Sequence, residues 1–447
     1  MKKQILENTP IIFLLTALFI FLFVLNLLNG GLAWDENAYL SNARSLIGNS
    51  NYTEDFRFPL LGFLIAGLWT FTGESLMAAK FLVILFSVLS AAVFYLISSR
   101  YFERKYAFAV SATFAFSYLV LYWGFRVYTE MPGTFFVLLS FYSVLKSGGL
   151  INRKYIFASG IFCGMAFLMK FPLALLPLSI FLYFLHKRRF MEIGFFVLAL
   201  SATLAPWLTY NYFQHNGDVL YDLREQAKIV YAYTLNESPL KHVGNLFIAM
   251  NILVFFIPLG IYKMAKSNWK LKKLVFLFLL IYFTYFLFFT NLKEARYLIF
   301  AIPFLYLIAT EGLAVIKEKR IVYFILLISA LISISSVLNE INQSGNCNRG
   351  GVTDQSISYI CPLKPEKIMS NFWPHFGWAC NSKISSLWSP NVDELLISVN
   401  PDYIIYSPQL GDQYNKTSLD LHTSLIFEKE IKGKCGENVF VYKNIKK

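Results

Sequence analysis

The sequence has little charge and lacks the motifs of the common soluble enzyme classes. Only 15% of its 447 residues are charged, whereas 56% are hydrophobic and 18% are aromatic. This composition excludes an ordinary soluble globular protein and indicates a polytopic membrane protein. The sequence contains no GxxxxGK[ST], GxGxxG, HExxH or GxSxG motif. There is therefore no sign of a nucleotide-binding, zinc-protease or serine-hydrolase site.

The formal net charge of +13 does not indicate a nucleic-acid partner. The basic residues gather in short clusters between apolar runs, which is the pattern of membrane topology signals. Their alternation predicts a cytoplasmic N-terminus and an extracytoplasmic C-terminal tail in a multi-pass protein of the cell membrane. We therefore expect membrane lipids, and no nucleic acid, among the partners of the chain.

Eleven apolar runs are candidates for transmembrane helices, because a crossing needs about 17–25 residues and buried helices tolerate somewhat fewer. They fall near residues 10–29, 78–98, 107–125, 130–146, 155–170, 172–186, 190–208, 243–262, 274–290, 297–315 and 321–338. The shorter stretch Pro59–Thr72 would reverse the charge alternation if it crossed the membrane. We therefore predict that it forms an interfacial or re-entrant helix on the outer face.

The predicted fold class is mainly α, with a small α/β domain at the C-terminus. Residues 1–338 form the membrane domain, whose first outer loop, 30–77, carries interfacial helices. Residues 339–447 form the extracytoplasmic domain, in which Tyr403–Tyr406 and Val439–Tyr442 are predicted strands and Val392–Val399 is a predicted helix.

The tail also contains four of the five cysteines. Disulfides persist in oxidising compartments, and the cysteine spacings are not those of a zinc site. We expect two bridges, with all three pairings left open, among Cys347, Cys361, Cys380 and Cys435.

Three acidic residues are candidates for catalysis on the outer side. Asp35 and Glu36 follow the first apolar run, where a carboxylate can act as a general base or stabilise the start of a helix. Glu130 lies at the outer end of a predicted helix pair. It is either a second functional acid or a helix-start acid paired with Arg126. The residues alone leave both alternatives open.

Three isolated basic residues on the outer side run against the positive-inside trend. They are Arg57, Lys170 and Arg296, each beside an apolar segment. A Lys or Arg cluster in such places can hold the phosphate of a lipid carrier and stabilise it as a leaving group. The alternative for each residue is a long side chain that simply reaches the membrane interface.

A series of motifs in fixed order resembles the membrane-embedded GT-C glycosyltransferases. The motifs are WDENAYLSNARSLI, RFPLLGF, TEMPGTFFVLL, FLMKFPLALLPL, APWLTYNYFQHNGD and ARYLIFAIPFL. The nearest groups are the protein O-mannosyltransferase and lipid A aminoarabinose transferase families. The resemblance implies a GT-C fold, Asp35 as catalytic base with Glu36 beside it, and Glu130 as second acid. It also implies that Arg57, Lys170 and Arg296 hold the polyprenyl phosphate.

The sequence departs from the family pattern in two places. Glu130 stands where Asp is commoner, and the tail lacks a WWD-type signature, which argues against an oligosaccharyltransferase catalytic subunit. We predict an inverting glycosyltransferase that moves a sugar from a dolichyl- or undecaprenyl-phosphate donor to a hydroxyl of a protein, glycan or lipid acceptor. No cofactor is required, and a divalent metal held by Asp35 and Glu130 is left open. The alternative is a transporter or flippase of a lipid-linked substrate.

Overall fold

The structure is a computed structural model. It describes residues 2–445 except 51, 149–151, 233–236, 239, 268, 270, 292, 349–350, 388–391, 411–415 and 434–435. The expected mainly helical class, with a small sheet at the C-terminus, is confirmed.

Helices make up most of the described chain. Their bounds are Lys2–Leu28, Trp34–Leu46, Leu60–Thr72, Leu76–Ser98, Arg104–Ala115, Tyr118–Trp123, Glu130–Lys146, Arg153–Met169, Leu175–His186, Phe190–Gln214, Tyr221–Ala232, Lys241–Met250, Ile257–Lys266, Lys272–Phe288, Ile302–Leu313, Lys319–Asn348, Val352–Ile360, Trp373–Ala379, Val392–Val399 and Lys416–Asp420. Short 3-10 segments cover Phe171–Ala174, Asn251–Phe256, Ala295–Phe300, Cys361–Leu363 and Pro408–Leu410.

Five segments of the described chain are long and apolar enough to cross a membrane. They are Thr9–Leu28, Leu76–Ser98, Phe190–Gln214, Lys241–Lys266 and Lys319–Gln343. The expected count of eleven transmembrane helices is not confirmed, because several apolar runs form shorter or interrupted helices. The run near 107–125, for example, divides into Arg104–Ala115 and Tyr118–Trp123.

The chain divides into two compact units. The first comprises residues 1–24, 56–61 and 80–338, and the second comprises residues 25–55, 62–79 and 339–447. The tail thus shares a unit with most of the predicted first outer loop. The boundaries 1–338 and 339–447 stay a prediction. The helix expected at Pro59–Thr72 is present as Leu60–Thr72, and its place at the membrane interface also stays a prediction.

A helical hairpin in the first unit determines where two of the predicted site residues lie. Helix Glu130–Lys146 and helix Arg153–Met169 pack along their length. The second helix also approaches Phe190–Gln214 closely, because a Cβ on Gly160 would lie 2.5 Å from the carbonyl oxygen of Phe196. Since a short connection makes the hairpin antiparallel, the start of its first helix and the end of its second lie at the same end.

The second unit contains a five-stranded sheet. Its strands are β1 (Lys367–Ser370), β2 (Lys383–Ser386), β3 (Tyr403–Tyr406), β4 (Leu425–Lys432) and β5 (Asn438–Asn444), in the order β2-β1-β3-β5-β4. Strand β1 pairs in parallel with β2 and β3, whereas β5 pairs antiparallel with β3 and β4. The predicted strands and the helix Val392–Val399 are confirmed.

The uninterrupted apolar run of β3 reflects burial on both faces of the sheet. Ile404 and Tyr406 belong to one hydrophobic cluster, and Tyr403 and Ile405 belong to another. The second cluster also contains Cys380, which forms a disulfide with Cys361. One of the expected bridges is thereby confirmed. Cys435 and the side chain of Cys347 lie outside the described residues.

Candidate functional site

Glu130 and Lys170 form an ion pair in the first unit. Glu130 is the first residue of its helix and is fully buried, and Lys170 directly follows the last residue of the partner helix. The ammonium of Lys170 contacts Oε1 of Glu130, and the hydroxyl of Thr129 lies 3.4 Å from Oε2. The hairpin geometry therefore explains why two residues 40 positions apart meet. The sequence suggested Arg126 as the partner of Glu130, but the structure pairs Glu130 with Lys170 instead.

Arg296 and Lys170 lie near the same aromatic ring, that of Tyr297. The Lys170 ammonium lies 5.1 Å from the ring centre of Tyr297, and the Arg296 guanidinium lies 5.4 Å from the same ring. Arg296 also pairs with Glu294 and lies 5.9 Å from the ring of Tyr128. Glu130, Lys170, Arg296 and Tyr297 are called the basic cluster below. Each of its two cations faces a carboxylate, Lys170 that of Glu130 and Arg296 that of Glu294, and the cluster offers an anion two cationic hydrogen-bond donors.

Tyr297 is held in place by its neighbours. The hydroxyl of the buried Tyr282 donates a hydrogen bond of 2.5 Å to the Tyr297 carbonyl, and the ring of Phe286 stacks on the Tyr297 ring at 5.2 Å. The role of Tyr297 was not predicted from the sequence. The signal was present in the Arg-Tyr step of ARYLIF, since cations and aromatic rings attract each other.

Arg57 also belongs to the first unit, and its neighbour Phe58 anchors it. The Phe58 ring packs 5.3 Å from Phe167, three residues before Lys170, and 5.4 Å from Trp207. The Trp207 indole donates a 2.7 Å hydrogen bond to the buried carboxylate of Asp222. The Arg57 guanidinium lies 5.6 Å from the ring of Phe56. The segment around Arg57 thus packs near the end of the helix that precedes Lys170.

Arg126, the partner considered for Glu130, stacks on aromatic rings instead. Its guanidinium lies 4.1 Å from the ring centre of Tyr122, and its side chain is 8% exposed. Helix Tyr118–Trp123 ends before Arg126 and helix Glu130–Lys146 begins after it, so the two residues do not share a helix. The spacing of four residues therefore does not bring their side chains together as it would on one helix.

Asp35 and Glu36 occupy the first turn of helix Trp34–Leu46, in the second unit. Glu36 is fully buried, and its Oε2 accepts a 3.0 Å hydrogen bond from the backbone N–H of Ala33, the N-cap residue. This contact is one half of a capping box, in which the third residue of a helix binds back to the residue before it. Asp35 is half-buried. The two adjacent acids therefore have different surroundings, and Glu36 stabilises the helix start.

Other residues of the second unit fix both ends of this helix. At its start, Trp34 packs edge-on against Trp373 at 4.7 Å. At its end, Arg44 pairs with Glu74 at 2.7 Å and donates a 2.7 Å hydrogen bond to the carbonyl of Trp378. The tail thereby holds the helix that carries Asp35. This contact was not predicted, because residues 44 and 378 are too far apart in sequence for a local pattern to connect them.

A cavity of about 540 Å³ lies within the second unit. Leu32, Ala33 and Asn37 line it from the start of the Asp35 helix, and the tail supplies most of the other lining residues. One of these is His375, whose pKa burial lowers to about 4, although hydrogen bonds to the carbonyls of Phe372 and Leu32 oppose that shift. The imidazole is therefore neutral at pH 7.

The surroundings of Glu130 do not favour a divalent metal. Its Oε1 is paired with the Lys170 ammonium, which would repel a cation in the same place. Within the described part of the chain, no group of three or more His, Cys, Asp and Glu side chains could hold a metal ion.

Comparison with known proteins gives one family match. The family model of dolichyl-phosphate-mannose-protein mannosyltransferases matches residues 57–210, a range that contains Arg57, Glu130 and Lys170. No curated protein is significantly similar to the chain in sequence.

Solved structures share the fold over nearly the whole chain. ArnT from Cupriavidus metallidurans bound to undecaprenyl phosphate has a TM-score of 0.75 at 13% identity, over 97% of this chain and 98% of its own. The Archaeoglobus fulgidus oligosaccharyltransferase complex with Zn and sulfate has a TM-score of 0.57 at 14% identity, over 96% of this chain and 73% of its own. The same organism's AglB, in complex with an inhibitory peptide and a dolichol-phosphate, has a TM-score of 0.53 at 12% identity, over 96% and 74%. The family match and the shared fold confirm the resemblance of this chain to the GT-C membrane glycosyltransferases.

Proposed function

We propose that this protein is an inverting membrane glycosyltransferase that uses a polyprenyl-phosphate-linked sugar as donor and an acceptor hydroxyl on the outer face of the membrane. The observation that carries the proposal is the basic cluster, in which Lys170 and Arg296 converge on Tyr297. It accompanies a fold similar to ArnT bound to undecaprenyl phosphate. Two cationic hydrogen-bond donors on one aromatic ring form a suitable site for the phosphate of a lipid carrier, which would compete with Glu130 and Glu294 for them.

The proposed reaction is a single displacement at the anomeric carbon of the donor sugar. Asp35 takes the proton of the acceptor hydroxyl as that oxygen forms a bond to the anomeric carbon. The bond from this carbon to the phosphate oxygen breaks, and its electron pair leaves with the polyprenyl phosphate. One displacement inverts the configuration of the sugar. Lys170 and Arg296, with Arg57, stabilise the negative charge that grows on the leaving phosphate.

The remaining acids have supporting roles in this proposal. Glu36 keeps the start of the Asp35 helix in place through Ala33, so it is a positioning residue. Glu130 orients the Lys170 ammonium, which would otherwise be a flexible donor on a long side chain. A good leaving group needs no separate acid to protonate it, and this explains why a buried, ion-paired Glu130 is compatible with catalysis.

The test is transfer by the purified full-length protein in detergent. Radiolabelled dolichyl- and undecaprenyl-phosphate sugars serve as donors, and a membrane extract supplies the acceptor. We expect transfer by the wild type and none by Asp35→Asn. The matched control is Asp55→Asn, which makes the same change at an exposed aspartate of the same unit.

The outcomes separate the class of protein from the identity of the base. Transfer by the wild type and by Asp35→Asn at equal rates would refute Asp35 as the base while leaving the enzyme class intact. If the folded wild type transferred no sugar from either carrier, the transporter alternative would replace the proposal. The anomeric configuration of the product, read by NMR, tests inversion independently.

A further inference from the structure

We propose that Arg126 and Trp123 bind the phosphate of the lipid-linked donor, next to the basic cluster. The inference rests on the proposed function and adds a phosphate-binding subsite to it. Arg126, Trp123 and the ring of Tyr122 are called the Arg126 subsite below. All three residues belong to the first unit and lie at, or just beyond, the end of helix Tyr118–Trp123.

Arg126 carries a buried charge that no acid compensates. Its side chain is 8% exposed, and its Nε is buried without a hydrogen-bond partner among the described residues. Glu130, four residues further on, pairs with Lys170, and no other described carboxylate forms an ion pair with Arg126. A guanidinium keeps its charge in proteins, and an isolated buried charge is costly. This setting therefore favours an anionic ligand.

The aromatic neighbours of Arg126 do not take the place of an anion. The guanidinium carbon lies 4.1 Å from the ring centre of Tyr122 and 5.7 Å from that of Phe125. Aromatic rings attract a cation, but they are weak hydrogen-bond acceptors. The N–H groups of the guanidinium therefore keep their capacity to bind a phosphate, whose oxygens match the planar fork of an arginine.

Trp123 supplies a second N–H donor in the same place. Its ring centre lies 5.8 Å from the guanidinium carbon of Arg126, and its Nε1 is buried without a hydrogen-bond partner in the part of the chain that the structure describes. Indole and guanidinium groups only donate hydrogen bonds, and a buried donor without an acceptor costs free energy. A phosphate has several acceptor oxygens and a negative charge, so it satisfies both residues.

Tyr128 connects the Arg126 subsite with the basic cluster. The Trp123 ring packs edge-on against Tyr128 at 4.8 Å, and the Arg296 guanidinium lies 5.9 Å from the same ring. Phe125, Val127 and Tyr128 are all buried, so this part of the site lies inside the protein. A donor that enters at the basic cluster brings its phosphate to the same aromatic ring. A phospholipid of the surrounding bilayer has no such access.

The charge of Arg126 differs from the other proposed phosphate-binding charges in having no acidic competitor. Lys170 faces Glu130 and Arg296 faces Glu294, so a phosphate has to compete with a carboxylate for each of them. Arg126 has no such carboxylate within the described chain. Its attraction for a phosphate is therefore not offset locally, and burial strengthens that attraction.

The loop that carries Arg126 is fixed by its own contacts. The Ser87 hydroxyl donates a 3.0 Å hydrogen bond to the carbonyl of Gly124, and the Tyr128 N–H donates one of 2.7 Å to the carbonyl of Arg126. A Cβ on Gly124 would lie 3.0 Å from the Leu22 side chain, so the loop packs closely against the first helix. A rigid loop loses little conformational freedom when a ligand binds, which favours affinity.

The test compares variants that each remove one feature of the subsite. Arg126→Met removes the charge and keeps a long side chain, whereas Arg126→Lys keeps the charge and loses the planar fork. Trp123→Phe removes the indole N–H and keeps an aromatic ring. The matched controls are Arg153→Met, at an exposed arginine 5.4 Å from the Phe195 ring, and Trp269→Phe, at a half-buried tryptophan of the same unit.

Equilibrium competition on the purified full-length protein in detergent measures the affinity for undecaprenyl phosphate and dolichyl phosphate. Undecaprenol and dolichol are the paired ligands, because they lack only the phosphate. We expect Arg126→Met to bind the phosphates roughly ten- to hundredfold more weakly, the effect of losing a charged hydrogen bond, and the alcohols as the wild type does. Trp123→Phe should weaken phosphate binding about two- to tenfold, with Arg126→Lys between the wild type and Arg126→Met. Both controls should bind like the wild type.

Melting curves of the ligand-free protein separate binding from structure. Arg126→Met removes a buried charge without a partner, so it should not lower the melting temperature. A purely structural role would lower the melting temperature and weaken the binding of phosphate and alcohol in the same proportion. That result would overturn the inference.

Three further results would also overturn it. The first is equal affinity of Arg126→Met and the wild type for the polyprenyl phosphates. The second is the absence of binding of either polyprenyl phosphate to the folded wild type. The third is competition by phosphatidic acid in mixed micelles at the same concentration as the polyprenyl phosphate, which would assign the subsite to phospholipid headgroups.

The inference and the proposed function can fail separately. Polyprenyl-phosphate binding that depends on Arg126, without any sugar transfer, would refute the glycosyltransferase and leave the subsite intact. Transfer by Arg126→Met with an unchanged donor KM would refute the subsite and leave the glycosyltransferase intact. If both proposals hold, Arg126→Met raises the donor KM while the acceptor KM stays constant.

Discussion

The Glu130–Lys170 ion pair allows a stability effect to be separated from a binding effect. Glu130 is fully buried, and Lys170 contacts its Oε1. The substitution Lys170→Met removes the cation and leaves a buried carboxylate without its charge partner. Breaking a buried pair in this way costs about 3–5 kcal/mol. We expect Lys170→Met to lower the free energy of unfolding by that amount.

The double variant Glu130→Gln/Lys170→Met should recover most of this loss. Both charges are then absent, and replacing a buried pair by neutral groups of similar volume is often neutral for stability. The amide that replaces the Glu130 carboxylate keeps an oxygen near the Thr129 hydroxyl, which lies 3.4 Å from Oε2 in the native protein. We expect the double variant to unfold within about 1 kcal/mol of the wild type.

The assay combines chemical denaturation in detergent micelles with competition binding of radiolabelled polyprenyl phosphate. The double variant should regain stability without regaining affinity, because the ammonium that we propose to bind phosphate is still missing. The matched control is Lys319→Met, which breaks an exposed pair with Glu103 and should leave the free energy of unfolding unchanged.

Two results would refute this reasoning. Native stability in Lys170→Met would mean that the buried carboxylate does not depend on Lys170. Native affinity for polyprenyl phosphate in the double variant would mean that Lys170 has a structural role only.

Three further predictions concern metal dependence, pH and the tail disulfide. Transfer should survive EDTA, since the Lys170 ammonium neutralises Glu130; loss of activity that Mn²⁺ or Mg²⁺ restores would contradict this. Because the folded-state pKa of His375 is about 4, below the unfolded value of about 6.5, its contribution to stability is complete above pH 6.5 and is lost as the pH falls toward 4. His375→Gln should therefore lose less stability than the wild type between pH 7 and 4, by up to about 3 kcal/mol, and equal pH dependence would refute the assignment. The double substitution Cys361→Ser/Cys380→Ser removes a disulfide that joins residues with a sequence separation of 19. It should destabilise the second unit by about 3 kcal/mol, and Cys163→Ser is the control. An unchanged melting temperature of the double variant would contradict the prediction.

The sequence predicted the elements of the site better than their contacts. Apolar runs and turn residues located the hairpin that carries Glu130 and Lys170, because helix length and loop position are local properties of a chain. The strands of the tail were found for the same reason. The transmembrane count was less predictable, because an apolar run can be interrupted without a change in composition, as the run divided at Ser117 demonstrates.

Contacts between distant segments could not be derived from local patterns. Lys170 is 40 residues from Glu130, whereas Arg126 is four, so sequence proximity favoured the wrong partner. The Arg44 contact with Trp378 and the placement of Tyr297 between two cations likewise depend on tertiary packing. Motif resemblance singled out charged residues that are visible in the sequence, and their roles in catalysis and phosphate binding stay a prediction.

The sequence allows either of the adjacent acids Asp35 and Glu36 to be a catalytic base or a helix cap, and the structure shows which of them makes a capping contact. A carboxylate at this position could be a base or a helix cap, and adjacent helical residues point about 100° apart, so one residue cannot substitute for the other. Glu36 turns inward and binds the N–H of Ala33, which gives it the capping role. Asp35 lies in the same first turn, at the positive end of the helix dipole. Since Glu36 makes the capping contact, we propose the half-buried carboxylate of Asp35 as the proton acceptor, and the loss of transfer expected in Asp35→Asn tests this assignment.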